Sequence, residues 1–161
     1  MHQRSAVRLP PPSGTKKRFW VLVASKDHVM HGVWLGIAQA GQGKRSGISR
    51  MHTGDMVIYY SPKVRYESDE VLHAFTAIGE IADEEVFPVE ETPDFKPFRR
   101  KVQYTMTGEI GIALLIPDLT FIRNKRSWGY LFRSGIFEIG KDDFDRISAK
   151  FPDMNEKLRK C

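Results

Sequence analysis

The chain has one cysteine in 161 residues, and it is the last of them, Cys161. It can neither close an internal disulfide nor complete a thiolate metal site. The chain therefore reads as one that works in a reducing compartment, the cytoplasm, or the nucleus in a eukaryote. No run of 18 apolar residues exists, so no transmembrane helix of ordinary length is expected. The first residues lack the apolar centre of a secretory signal. There is no G-x-S-x-G elbow. The glycine-rich AGQGKRSG (40–47) lacks the Lys-Ser/Thr ending of a phosphate-binding loop. Acid is missing from residues 1–18, where Arg4, Arg8, Lys16, Lys17 and Arg18 stand. Those five cations account for the whole net charge of +5, so the rest of the chain balances its cations against its 20 acids. The surplus is no argument by itself that a folded domain binds nucleic acid.

What charge there is comes in blocks. Residues 80–94 are acidic, while 44–50, 96–101 and 123–133 are basic. Such blocks are either solvated loops or parts of one basic face around a pocket. An apolar fraction of 41% at this length suits one domain with a real core. Residues 1–18, with three consecutive prolines, read as a disordered basic leader, 19–150 as the domain, and 151–161 as a short tail. FWVLVAS (19–25) is short, apolar and β-rich, which predicts a buried strand. Val29, Val33 and Ile37 recur at helical spacing and predict a helix over 27–39, weakened by Gly32 and Gly36. MVIYYS (56–61), residues 71–81 and RRKVQYTMT (99–107) predict strands. Residues 110–119 predict one or two helical turns, 135–139 a strand, and the chain from 141 a C-terminal helix on Phe144, Ile147 and Phe151. Short strands joined by turn-rich loops predict a mainly β domain with a few helices.

Catalytic signals are sparse. His28 and His31 could share a helix face, but a His-x-x-His pair without a third ligand is weak support for a metal. A Ser–His–acid set can be drawn from Ser25, His28 and several acids, as from almost any chain. The stronger pattern is aromatic–basic interleaving. It occurs at Tyr59-Tyr60, at Phe95 and Phe98 beside Arg99-Arg100, and at Trp128, Tyr130 and Phe132 beside Arg126 and Arg133. A base stacked on an aromatic face gains ~1–3 kcal/mol, and nearby cations hold phosphates. The other reading is that the aromatics fill a barrel core while the cations point outward by alternation. The same choice attaches to NKRSWGYLFRSG (124–135), which is either a half-buried strand or one wall of a site.

FWVLVASKDHV, AQAGQGK, GDMVIYYSPK, FTAIGEI, DFKPFRR and FIRNKRSWGYLFRSGIFEI, in this order, resemble the EVE domain, a PUA-like family related to YTH and ASCH domains. The resemblance implies an α+β fold, a PUA-like mixed β pseudo-barrel of about five or six strands with flanking helices. It implies a non-catalytic module whose partner is nucleic acid, DNA or RNA, and which reads a modified nucleobase. No cofactor, metal or membrane contact follows from it. Carried over by position, Ser25, Lys26 and Asp27 would sit at the pocket rim and Gln39 would face the pocket. Tyr60 and Ser61 would end a barrel strand beside it, Tyr104 would lie where YTH domains place a cage aromatic, and Asn124, Lys125 and Trp128 would close the opposite wall. Lys44, Lys63, Arg99, Arg100, Lys125 and Arg126 would meet the nucleic-acid backbone. The chain departs from the family pattern at Gly41-Gln42, where members often carry Asn-His, and at Phe98, where they often carry Trp. Two rival readings stand beside this one: a small nucleotide-directed hydrolase or nuclease using His28 and an acid, and a pocket for a free small molecule.

Overall fold

The computed structural model describes residues 16–152. The leader expected over 1–18 lies outside these residues except for its last three, as does most of the tail expected over 151–161.

The elements run β1 (Phe19–Val23), α1 (Lys26–Leu35), β2 (Ile37–Ala38), α2 (Arg45–Ile48), β3 (Met56–Lys63), β4 (Val71–Ile81), β5 (Phe87–Pro88), β6 (Phe98–Gly111), β7 (Ile136–Ile139) and α3 (Lys141–Ser148). The strands form one curled, seven-stranded sheet in the order β2-β6-β4-β3-β1-β7, with β5 added to β6. β1 runs parallel to β3, and every other pairing is antiparallel. This is the α+β half-barrel with flanking helices that the sequence led us to expect. It has more strands than expected because β2 and β5 are two residues long and leave no periodic trace.

Alternation along the strands sends side chains to two separate cores. Val21, Ile58, Tyr60 and Ile78 join one with Leu115, Leu119, Phe132, Phe144 and Ile147. Trp20, Leu22, Val57 and Tyr59 join the other with Val29 of α1, Ile48 of α2, and Met51. The sheet is covered on both faces, and this is why FWVLV reads as an unbroken apolar run rather than an alternating one.

Buried polar groups tie the covering segments to the sheet. Asp55 accepts from the Trp20 indole N–H at 3.0 Å and from the backbone N–H groups of Arg18 and His52. Asp143, at the start of α3, accepts from the Thr120 hydroxyl and from the N–H groups of Thr120 and Phe121. Arg100, read from the sequence as a phosphate contact, is fully buried. Its Nε donates to Asp83 at 2.7 Å, and its Nη1 donates to the carbonyls of Ile48 and Met51. It is a strut between β6 and the end of α2, and it is not offered to a ligand.

Three boundaries differ from expectation. The helix expected over 27–39 ends at Leu35, because Gly36 takes a left-handed conformation (φ 71°) and turns the chain into β2. β6 continues through Gly111 before one 3-10 turn over Ile112–Leu114, where 110–119 led us to expect only helical turns. NKRSWGYLFRSG is no strand. Asn124 Oδ1 accepts the N–H groups of Arg126 and Ser127, which starts a turn, and Tyr130–Ser134 forms a 3-10 turn that ends at Gly135. No helix among the described residues is long and apolar enough to cross a membrane.

Candidate functional site

A cavity of about 690 Å³ opens between α1, the glycine turn before α2, the end of β3 and the start of β6. Ser25, His28, His31 and Gly32 contribute from α1 and its N-terminal boundary, Gln39 to Gly43 from the turn, and Tyr59, Pro62, Lys63 and Tyr66 from β3 and the loop after it. Glu91, Phe95 and Arg99 close the far side.

The turn owes its shape to three successive left-handed residues, Gly41, Gln42 and Gly43. A side chain at Gly43 would collide with Pro97, 2.7 Å from where its β-carbon would stand. The absence of one lets Phe95 and the 89–97 loop close over the turn. Gln42 holds φ 61°, a conformation costly for a residue with a side chain, and it stands at the cavity edge.

Two tyrosines fix the strand beneath. The Tyr59 hydroxyl donates to the Gln39 carbonyl at 2.7 Å and accepts the Gln39 N–H at 3.2 Å. The Tyr104 hydroxyl donates to the Ile37 carbonyl at 2.8 Å. Burial pushes both phenols well above their ordinary value, so they stay neutral and keep these bonds.

The Gln39 side chain is then held from outside. Its Oε1 accepts Arg99 Nε at 2.9 Å, and Arg99 Nη2 donates to Glu91 at 2.6 Å. A guanidinium can only donate, so the amide oxygen must face it, and the amide N–H groups are left for the cavity.

The rim near the start of α1 is tied by Asp27. Burial alone would raise its pKa. The Ser25 hydroxyl, the His28 N–H, the charge of the His28 ring and the Tyr66 N–H outweigh burial and hold the carboxyl below its usual value. His28 stacks on Tyr66 with ring centroids 5.0 Å apart, and the Lys63 ammonium lies 5.2 Å from the same ring. Ser25 gives its hydroxyl proton to Asp27 and not to an imidazole, so no Ser–His–acid relay is assembled here. Among the described residues no three His, Cys, Asp or Glu side chains converge as a metal site would need.

The structure divides the residues singled out in the sequence. Ser25, Gln39, Lys63 and Arg99 line the cavity, and Asp27 braces its rim. Lys44 is exposed just beyond the glycine turn. Lys26 pairs with Glu109 away from the cavity. Tyr60 points to the opposite core, stacked 4.1 Å from Phe132, and Ser61 is buried against the Thr76 hydroxyl at 2.8 Å. Tyr104 stands behind the wall rather than in it. Asn124 caps its own turn, and Lys125 donates to the carbonyls of Ile116 and Leu119. Trp128 packs edge-on against Tyr60, Phe132 and His73. Arg126 is exposed on the same loop. The far wall is therefore built by Phe95 and Arg99, not by Asn124, Lys125 and Trp128. Tyr59, Tyr66, His31 and Phe95 were not assigned to a pocket from the sequence, although Tyr59 and Phe95 belong to its aromatic–basic pairs.

Comparison with known proteins agrees with this architecture. A "UPF0310 protein" of Mycolicibacterium vanbaalenii is 44% identical over 130 residues, covering 81% of this chain and 90% of that one. The "UPF0310 protein YdcG" of Bacillus subtilis is 37% identical over 130 residues, covering 81% and 89%. Among solved structures, the YTH domain of the Zygosaccharomyces rouxii MRB1 protein in complex with N6-methyladenosine RNA superposes with a TM-score of 0.56 at 15% identity, covering 89% of this chain and 88% of that one. A protein from Agrobacterium tumefaciens superposes with a TM-score of 0.53 at 14% identity, covering 84% and 99%. At such identities the likeness is one of fold. The EVE domain profile matches residues 18–150. The chain belongs to the EVE domain family.

Proposed function

We propose that this is a cytoplasmic, non-catalytic nucleic-acid-binding module that takes one modified nucleobase, turned out of its strand, into the cavity. The observation that carries this reading is the fixed Gln39 amide, which offers N–H donors inside a cavity walled by Tyr59, Tyr66 and Phe95. A flat ligand edged with acceptors suits such a site, and a volume of about 690 Å³ lies in the range of small-molecule pockets. The family, and the fold shared with a YTH domain crystallised with N6-methyladenosine RNA, support the same reading. Turning a base out costs a few kcal/mol. Stacking and the amide contacts offset that cost, and a methyl adds ~0.8 kcal/mol of apolar burial. Selectivity then rests on shape and on unmet hydrogen bonds as much as on the methyl.

Binding titrations test this with RNA and DNA 10-mers that differ only at one central adenine or cytosine, plain or methylated, alongside the free nucleosides. One methylated strand is expected to bind at least tenfold tighter than its plain counterpart, and Gln39→Ala should remove that preference. Equal affinity across the panel overturns the reading. Turnover of a nucleotide that is lost in His28→Ala would support the hydrolase reading instead.

A further inference from the structure

Residues 39–54 and residues 119–137 contain no acid. They are far apart in sequence, and the fold joins them at the cavity edge. Gly135 lies against Gly41: a β-carbon on Gly135 would stand 3.5 Å from the Gly41 backbone. Beside it, Ile136 presses on Gly47, where a β-carbon would come within 2.7 Å of Cγ2. Val23, in the cavity wall, donates its N–H to the Gly135 carbonyl at 3.0 Å.

Exposed cations stand in both stretches, Lys44 and Arg45 in one and Arg123, Arg126 and Arg133 in the other, with Arg133 two residues before the Gly135 junction. None has a carboxylate within ion-pair distance among the described residues, whereas Lys26, Arg99, Arg100, Lys141 and Arg146 each have one. Like charges gathered without counter-charges repel one another, and a polyanion relieves that repulsion. The surface also holds a bare aromatic ring. Tyr130 is 71% exposed, with the Arg133 guanidinium 5.7 Å from its centroid. A 3-10 turn rises ~2 Å per residue, which puts Tyr130 on the order of 10 Å from Gly135 and the cavity edge.

We propose that this surface carries the single strand flanking the base in the cavity. Tyr130 stacks on a neighbouring base, and Lys44, Arg45, Arg126 and Arg133 face its phosphates. The proposal rests on the reading of the cavity given above and adds the path of the polymer outside it. Lys125 has a different part, since its ammonium is spent on two carbonyls that shape the loop.

The test uses the full chain and two fluorescein-labelled 10-mers of the nucleic acid, RNA or DNA, that the panel above selects, one unmodified and one carrying the methylated base it prefers. Anisotropy is followed across a salt series. The Arg126→Ala/Arg133→Ala double variant should flatten the slope of log affinity against log salt by about 1.4, from ~0.7 per phosphate contact on a single strand, and it should do so on both strands alike. Tyr130→Ala should weaken both about five- to a hundredfold, with Tyr130→Phe keeping most of the affinity. Melting temperatures should not move, because these side chains are exposed. Wild-type affinity and slope in all these variants overturn the proposal, and if Gln39→Ala still removes the preference for the methylated strand, the cavity reading survives alone. Track variants that weaken binding in a protein with no preference to lose would keep the surface and overturn the cavity reading. A wild-type protein that binds neither strand overturns both.

Discussion

Arg99 and Gln39 are joined by a single hydrogen bond, Nε to Oε1 at 2.9 Å, and that bond decides which end of the amide the cavity sees. Gln39→Glu would keep the partner of Arg99 but replace the amide donors with an acceptor oxygen. Binding of the preferred strand should fall more than tenfold, and more than in Gln39→Ala, because two acceptors would then face each other. The melting temperature should hold or rise, since the new carboxylate pairs with the guanidinium. Titration and thermal melting of the same samples check both halves of the expectation.

Trp128 is expected to matter for stability rather than for recognition. Its ring packs edge-on against Tyr60 and Phe132 on the core that also holds Phe75 and Leu119. Trp128→Ala should cost about 3 kcal/mol of folding stability. At temperatures where the variant is folded, it should bind oligonucleotides as the wild type does. Denaturant unfolding followed by titration at low temperature separates the two effects.

The sequence showed the strands and the pairing of aromatics with cations, but not which of two adjacent tyrosines faces the cavity. In a strand a shift of one residue moves a side chain to the other face. Both faces of β3 are apolar here, so hydropathy does not distinguish Tyr59 from Tyr60. The expectation fell on Tyr60, and the structure turns Tyr59 toward Gln39. β1, β4 and α3 were legible because each buries a run or a stripe long enough to show a period. The segment 124–135 was not, because its shape comes from a capped turn at Asn124 and from carbonyls held by Lys125, neither of which has a period. Arg100 looked like its neighbour Arg99, and only its full burial against Asp83 and the carbonyls of Ile48 and Met51 distinguishes their roles.

Replacing Arg100 tests that distinction. Arg100→Ala leaves Asp83 without its charge partner and strands the carbonyls of Ile48 and Met51, so a loss of about 3–5 kcal/mol is expected. Arg100→Lys should also destabilise, because a single ammonium cannot serve the separate acceptors that the planar fork reaches. Unfolding curves for both variants, with Arg99→Ala, whose partner Glu91 is exposed, as the comparison, check this. Arg99→Ala should lose far less stability.

Acid should loosen the fold through Asp143 and Asp27. Burial would raise the Asp143 pKa, but the Thr120 hydroxyl, the N–H groups of Thr120 and Phe121, and Arg146 together hold it below the usual value. A carboxyl whose folded pKa lies below its unfolded value of about 3.9 stabilises the fold above that pH. The contribution is lost as pH falls from about 4 through the folded pKa. Melting temperature should therefore drop below about pH 4. Asp143→Asn should make that drop shallower, while costing about 1.5–3 kcal/mol at neutral pH. A pH series of melting curves for the two proteins reads both effects.

The pairing of β1 with β7 sets the order in which the protein can assemble. Phe19, in the first strand, lies opposite Ile139, in the last. On the ribosome, β1 emerges before both strands it pairs with and must wait for nearly the whole domain before its second neighbour exists. Until then one edge of β1 and its apolar side chains stay open to other chains. Contacts between residues so distant in sequence make for slow folding. The nascent chain thus spends its synthesis time as an incomplete sheet, and truncation before residue 136 would leave β1 without its last partner.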